Sequence, residues 1–517
     1  MRNKIIAILF FTGIAISAHS QDLYDVIRFG RINPGGTARS VGMGGAFGAL
    51  GGDLSTLAVN PAGIGVFRAS EFSVTPSLYL AHSKSDYLNN SYEDSRTNFN
   101  LGNFGVVFSN EITDRLGKGG FKFVQFGVSL NRIADFNNKY YMQGRNYGSS
   151  RADIWFQQIQ GKSLADLQSM YPIDLYPAYQ AYLFNPSGNN NYDTFLPDIP
   201  GFQKSGNKEA SLLQTYTMET KGSLNEFDFS VGANYDDVLY MGFTLGVPYI
   251  RYIENSSIRE ENDLGLAPSP GSDPQQSFFN SYQFDFTREI YATGINLKGG
   301  IIVRPVKFLR FGFAAHTPTW YPTVNFSQYS TITTDLFHEE EEGKAAGFYR
   351  TVQDSKINEF EFRMRTPYRL IASTAITFGK AGLLSADYEF VDYPTSKYSA
   401  SDYNYTNDNR AIQNMYKSGH NFRVGTEWRV NNFSFRGGFN YFTSPFENKD
   451  YKNAEVFGYS AGLGFRERNF YFDLAWALQT TNDDFYPYSN QGVGITSELA
   501  KNKLSSNRIL MTFGYRF

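Results

Sequence analysis

The 517-residue chain contains no cysteine, which excludes disulfides, lipid attachment at an N-terminal cysteine and any cysteine-ligated metal. Histidine is nearly as scarce, with five in all. Beyond residue 20 no stretch approaches the ~20 apolar residues that a spanning helix needs. Mean hydropathy is negative, at -0.38. Neither sign of charge dominates: 47 Lys and Arg face 50 Asp and Glu, a net charge of -3. Without a basic run to follow a phosphate backbone, nucleic acid is not an expected partner.

What the chain has in excess is aromatic rings and glycine: 47 Phe, 36 Tyr and 48 Gly. The rings recur at every second position. Ile509, Met511, Phe513, Tyr515 and Phe517 share one face of the last segment, and Arg508, Thr512, Gly514 and Arg516 the other. Phe470, Phe472, Leu474, Trp476 and Leu478 repeat the pattern, as do Phe457, Tyr459, Leu463 and Phe465, then Phe422, Val424, Trp428 and Val430. A period of two with one apolar face marks a half-buried strand. Because the apolar face is ring-rich and the opposite face carries charges of both signs, it is expected to meet lipid around a polar lumen. Negative hydropathy fits this reading, since only alternate residues would meet lipid.

Segments of this kind fall at 71–83, 97–110, 121–135, 224–235, 238–258, 278–304, 307–330, 357–378, 381–395, 418–430, 433–445, 455–467, 469–481 and 505–517. The expected fold is all-β, a transmembrane antiparallel barrel of about fourteen strands, the even number that bacterial barrels use. Short turns are expected at Asp236-Asp237, Pro305-Val306, Gly379-Lys380, Asn431-Asn432 and Glu467-Arg468, on the periplasmic side, with long outer links between them.

Arg2 and Lys4, the apolar residues 5–16 and Ala18-His19-Ser20 read as a signal peptide over 1–20 with cleavage before Gln21. The chain is therefore expected to be exported to a bacterial outer membrane, among its lipids and lipopolysaccharide. Residues 21–70, with eleven glycines between Gly30 and Gly65, precede the first strand and are expected to fold inside the barrel as a plug. Residues 71–517 form the barrel. Its outer loop over 136–222 is too long to be structureless, and Ser163-Leu164-Ala165-Asp166 opens a short helix there by a capping box. Trp155, Phe156, Leu164, Leu167, Tyr171 and Phe184 are the candidate ligand-binding residues of that loop, as a groove for apolar chains or as a small core holding the loop together.

Inward-facing Arg423, Glu427, Arg429, Arg436, Asp387, Glu389, Arg466, Asp473, Arg508 and Arg516 are expected to pair with one another and with the plug. The acidic run at residues 339–342 reads as a solvated face, or as a site for divalent cations that bridge to lipopolysaccharide. Alternation puts His316 in the lumen, His82 at a strand end, and His338 and His420 near outer loops, where a haem receptor would carry an axial ligand. No nucleophile accompanies His316, so no enzyme and no cofactor is expected.

Gly42-Met43-Gly44-Gly45-Ala46-Phe47-Gly48-Ala49, then Asp53 and Asn60-Pro61-Ala62-Gly63, resembles the N-terminal hatch of the FadL/TodX family of outer-membrane transporters for long-chain fatty acids and other hydrophobic compounds. The resemblance implies a barrel plugged by its N-terminus. Gly42, Gly44, Gly45, Asn60, Pro61, Ala62 and Gly63 become hatch or gating residues, with release through a wall gap near the third strand. It also implies passive uptake of a hydrophobic small molecule. The alternatives are a FadL-like barrel that binds or assembles surface protein partners in a secretion system, and a haem receptor. The glycine motif reads equally as a gate and as a tight structural corner.

Overall fold

The computed structural model describes residues 24–33, 35–112, 120–194, 212–262, 279–338, 347–447, 454–490 and 494–517. The expected signal peptide and the acidic run at 339–342 lie outside them. Fourteen staves close into one antiparallel barrel. They are β1 (Glu71–Tyr87), β2 (Asn90–Glu111), β3 (Phe121–Asp135, continued by Asn138–Asn146), β4 (Leu212–Tyr235), β5 (Leu239–Glu261) and β6 (Phe279–Val306). Next come β7 (Leu309–His316, continued by Trp320–His338), β8 (Gly347–Asp354, Asn358–Arg365 and Arg369–Phe378) and β9 (Gly382–Val391). The last are β10 (Gly419–Val430), β11 (Phe433–Phe442), β12 (Val456–Glu467), β13 (Phe470–Asn482) and β14 (Lys501–Arg516). The β1–β14 ladder, from Glu71↔Arg516 to Asp86↔Lys501, shuts the cylinder, so neither terminal strand offers a free edge.

The alternation in the sequence is the alternation of the wall. On β10, Phe422, Val424 and Trp428 are 46, 43 and 47% exposed, while Arg423 and Glu427 between them are 3% and 0%. Phe126, Tyr459, Leu463, Phe470, Phe513 and Phe517 likewise face outward. An apolar belt of this extent is far beyond what a protein in water exposes and matches the lipid-facing band of an outer-membrane barrel.

The lumen is not uniformly polar, contrary to the sequence expectation. Its outer half is a hydrophobic core in which Phe29, Ile250, Tyr252, Tyr321, Phe326, Phe362 and Tyr393 are buried together. Arg369, Glu389, Arg423, Glu427, Arg436 and Asp473 are buried in ion pairs elsewhere in the lumen. Alternation says which residues point inward, but not whether water or another segment of chain meets them.

Strand ends also differ from expectation. Leu88 and Asn89, at φ 48° and 65°, make a two-residue turn between β1 and β2, so this outer link is short rather than long. β2 starts at Asn90 rather than 97 because its first residues are polar on both faces and show no alternation. The turns expected at Pro305-Val306 and Glu467-Arg468 lie at Lys307-Phe308 and Arg468-Asn469. Much of the expected 136–222 loop is sheet: Asn138↔Thr220 through Asn146↔Leu212 pair in register. Beyond it stand three helices, α1 (Arg151–Ile159), α2 (Leu164–Met170) and α3 (Leu175–Gln180). Ser163 caps α2 with Asp166 as the sequence implies, and Ser150 caps α1 with Asp153 in the same way.

Candidate functional site

The described residues of 24–70 pack against inward-facing groups of the wall. A helix (Ala38–Gly42) lies against β12 and β13, and a 3-10 helix (Pro61–Val66) against β4, β5 and β6. Close approach decides where glycine stands. Gly44 has φ +65°, and a methyl group at Gly438 of β11 would collide with the Gly44 amide nitrogen; one at Gly242 of β5 would collide with the Pro61 carbonyl. Backbone therefore meets backbone without intervening side chains. Wall glycines at inward positions are the signal in the sequence that the glycine count alone does not resolve.

Asn60 holds the corner before Pro61. Its Oδ1 accepts from the Ala62 N–H at 3.1 Å, capping the 3-10 helix, and its Nδ2 donates to the Gly48 carbonyl at 2.6 Å. The Asp387 carboxylate of β9 accepts from the N–H groups of Phe47 and Gly48, both at 3.0 Å. His316 is buried, with Nε2 2.8 Å from the Val59 carbonyl, a hydrogen bond to the N-terminal segment. Arg39 Nε donates to Glu427 Oε2 at 2.9 Å; Arg436 Nε reaches the same oxygen at 2.7 Å and extends to Asp473 at 2.6 Å. Burial alone would favour neutral Arg39, but the Glu427 carboxylate overrides it and raises the guanidinium above its ordinary pKa.

Between this segment and the wall lies a narrow cavity of about 60 Å³. Phe29, Ile32, Ile133 and Leu224 form its apolar side, Lys298, Arg369 and Glu389 its charged side. Its charges are mutually neutralised: Lys298 bridges Glu226 and Asp228, and Glu389 joins Arg369 and Arg423. The space has room for only a few waters and is well below the ~150 Å³ that suits benzene.

The cavity touches β3 at Asn131 and Ile133, where the wall changes character. β2 and β3 form a ladder from Glu111↔Phe123 up to Asn103↔Asn131. Further out, among the described residues, β2 has ladder partners on β1 only, while the β3 continuation pairs with β4. A register irregularity falls between Arg132 and Ala134, and the Ile133 carbonyl accepts from the Asn33 N–H at 3.0 Å. Side chains bridge the seam instead: Asn90 Nδ2 to the Gln143 carbonyl at 3.1 Å, Arg96 Nε to Asn137 Oδ1 at 3.4 Å, and Lys139 to Asp94 at 3.0 Å. A backbone ladder is obligatory where a wall meets lipid; here, among the described residues, side chains take its place. The corner at Asn60 and Pro61 lies against Gly300 and Gly242 of the wall.

Of the six loop residues, Trp155, Leu167 and Phe184 are at most 1% exposed, in a core shared with Tyr282, Phe284 and Leu336. Phe156 and Tyr171 pack at its margin, and Leu164 is 45% exposed. None of the six lines the cavity above. Burial raises the Asp153 carboxyl at the start of α1 to about 6, against the lowering effect of the Ser150 N–H. His420 lies at the outer end of β10, just past the long outer link, with its ring on the exposed face and bonded to the Tyr388 hydroxyl at 2.8 Å.

No family model matches the chain, and no curated protein matches it. Solved structures do. It is similar to a Pseudomonas aeruginosa FadL homologue at TM-score 0.54 and 12% identity, covering 94% of this chain and 100% of that one. It is also similar to a deletion mutant of the TodX monoaromatic hydrocarbon channel at TM-score 0.53 and 11% identity, covering 94% and 99%. With its fourteen closed staves and lipid-facing ring belt, the chain has the fold of the FadL-type outer-membrane channels.

Proposed function

We propose that the protein admits hydrophobic small molecules across the outer membrane without an energy source, and that the segment over 24–70 is a hatch. The observation that carries this reading is the coincidence of three features at β3: the end of the β2–β3 ladder, the diversion of the Ile133 carbonyl to Asn33, and a cavity against both. A greasy solute that reaches the cavity has the seam as its shortest way to the bilayer, and partitioning into acyl chains, about 0.8 kcal/mol per buried CH₂, supplies the drive. The resting cavity is too small for such a solute, so Gly42, Gly44, Gly45 and Asn60-Pro61-Ala62-Gly63 must shift for passage. In the outer loop, Phe156, Leu164 and Tyr171 meet the solute first, on a platform set by buried Trp155, Leu167 and Phe184. Long-chain fatty acids fit these requirements, as do smaller aromatic compounds.

The test is uptake by proteoliposomes of a labelled fatty acid and of labelled toluene. An Arg96→Cys/Asn137→Cys variant joined by a short bismaleimide bridges the seam in a chain that has no other thiol. Uptake that falls at least tenfold after cross-linking supports the reading. Unchanged uptake places the exit elsewhere, and no uptake of either solute by unmodified protein overturns the transport role in favour of a surface-assembly role.

A further inference from the structure

At the short-turn end of the barrel lies a second concavity of about 460 Å³, roofed by Leu50, Gly51 and Gly52 of the N-terminal segment. Nine basic side chains line it and only one carboxylate, Glu71. Four of the cations are neutralised: Arg39 and Arg429 by Glu427, Arg68 by Asp237, and Arg516 by Glu71. Among the described residues no carboxylate is ion-paired with the other five, Arg304, Lys307, Arg310, Lys380 and Arg466. The Nε atoms of Arg310 and Arg466 are buried without a hydrogen-bond partner. Lumenal Lys298 and Arg369, by contrast, are matched by carboxylates.

Like charges gathered in a concave, partly dry site focus a positive potential. Holding them together disfavours the unoccupied state, and an oxyanion relieves both the repulsion and the orphaned N–H groups. Arginine's planar donor fork suits phosphate oxygens, with lysine adding point charge. An uncharged hydrocarbon gains nothing here, so the site is separate from the path proposed above and does not rest on it. We infer that the periplasmic mouth of the barrel is a binding site for a phosphate-bearing anion, either free or as a lipid headgroup.

The experiment is calorimetric titration of the detergent-solubilised full-length protein with inorganic pyrophosphate at two salt concentrations. Saturable binding that weakens as salt rises, and at least tenfold in Arg310→Gln/Arg466→Gln, is the expected result. Lys307→Gln/Lys380→Gln changes exposed turn residues, keeps the test open if the first variant fails to fold, and should weaken binding about threefold or more. Displacement of pyrophosphate by a short-chain phosphatidylglycerol, but not by the matching phosphatidylcholine, identifies a headgroup as a ligand; no displacement identifies free phosphate. The absence of saturable heat, or equal affinity in both folded variants, overturns the inference.

Discussion

Arg39 and Glu427, 388 positions apart in the chain, meet with Nε 2.9 Å from Oε2, both side chains buried. The contact ties the N-terminal segment to β10, and Glu427 is also held by Arg436 and Arg429. Removing either partner therefore has unequal consequences. Arg39→Ala leaves Glu427 with two guanidinium partners, so the barrel keeps its melting behaviour while the segment loosens. Glu427→Gln strands buried cations and should lower stability by about 3–5 kcal/mol. Heat-modifiability on gels reads the second effect, and single-channel conductance in planar bilayers reads the first, as higher conductance in Arg39→Ala.

Gly438 and Gly44 touch backbone to backbone. Gly438→Val puts a branched side chain where the Gly44 amide stands and should displace the segment, giving a larger conductance from a barrel that still assembles. Gly437→Val is the control, because a Cβ there meets nothing closer than 4.0 Å. Equal conductance in the two variants would show that the segment tolerates the intrusion.

Asn60→Ala removes the cap on the 3-10 helix, a loss of about 1 kcal/mol, and leaves the buried Gly48 carbonyl without its side-chain donor, about 1–3 kcal/mol more. Limited proteolysis of intact proteoliposomes should then cut within 24–70 faster than in the parent, with the barrel core still resistant. Asn60→Asp should behave as badly, since a carboxylate cannot donate to that carbonyl.

Asp153 is raised to about 6 by burial, above its unfolded value near 3.9. Its contribution to stability is fully present below the unfolded value and lost as pH rises through about 6. The outer-loop helices should be more protease-resistant at pH 5 than at pH 7.5. Asp153→Asn, which still accepts from the Ser150 N–H, should flatten that difference.

The wall was legible because its signal is strictly local. Phe422, Val424 and Trp428 face lipid for no reason other than the period of a strand, and the same holds around the cylinder. The α2 cap was legible too, since Ser163 and Asp166 satisfy each other within one turn. The seam was not legible in the residues of β3, which carry no proline or glycine pair to mark it; only the family resemblance implied a gap near the third strand. There the Ile133 carbonyl pairs with Asn33, a hundred positions earlier. The apolar outer lumen escaped for a related reason: Tyr252 and Phe326 obey the inward alternation, but what they meet is Phe29 and its neighbours from the N-terminal segment.

The order of residues by itself determined a lipid-facing barrel of about fourteen antiparallel strands, because alternation and turn chemistry act between near neighbours. Tertiary structure alone decided which charges neutralise one another, where the wall loses its ladder, and where five cations are left facing one space. Those outcomes depend on closure of the cylinder around its own first residues, which brings together groups that no spacing rule relates.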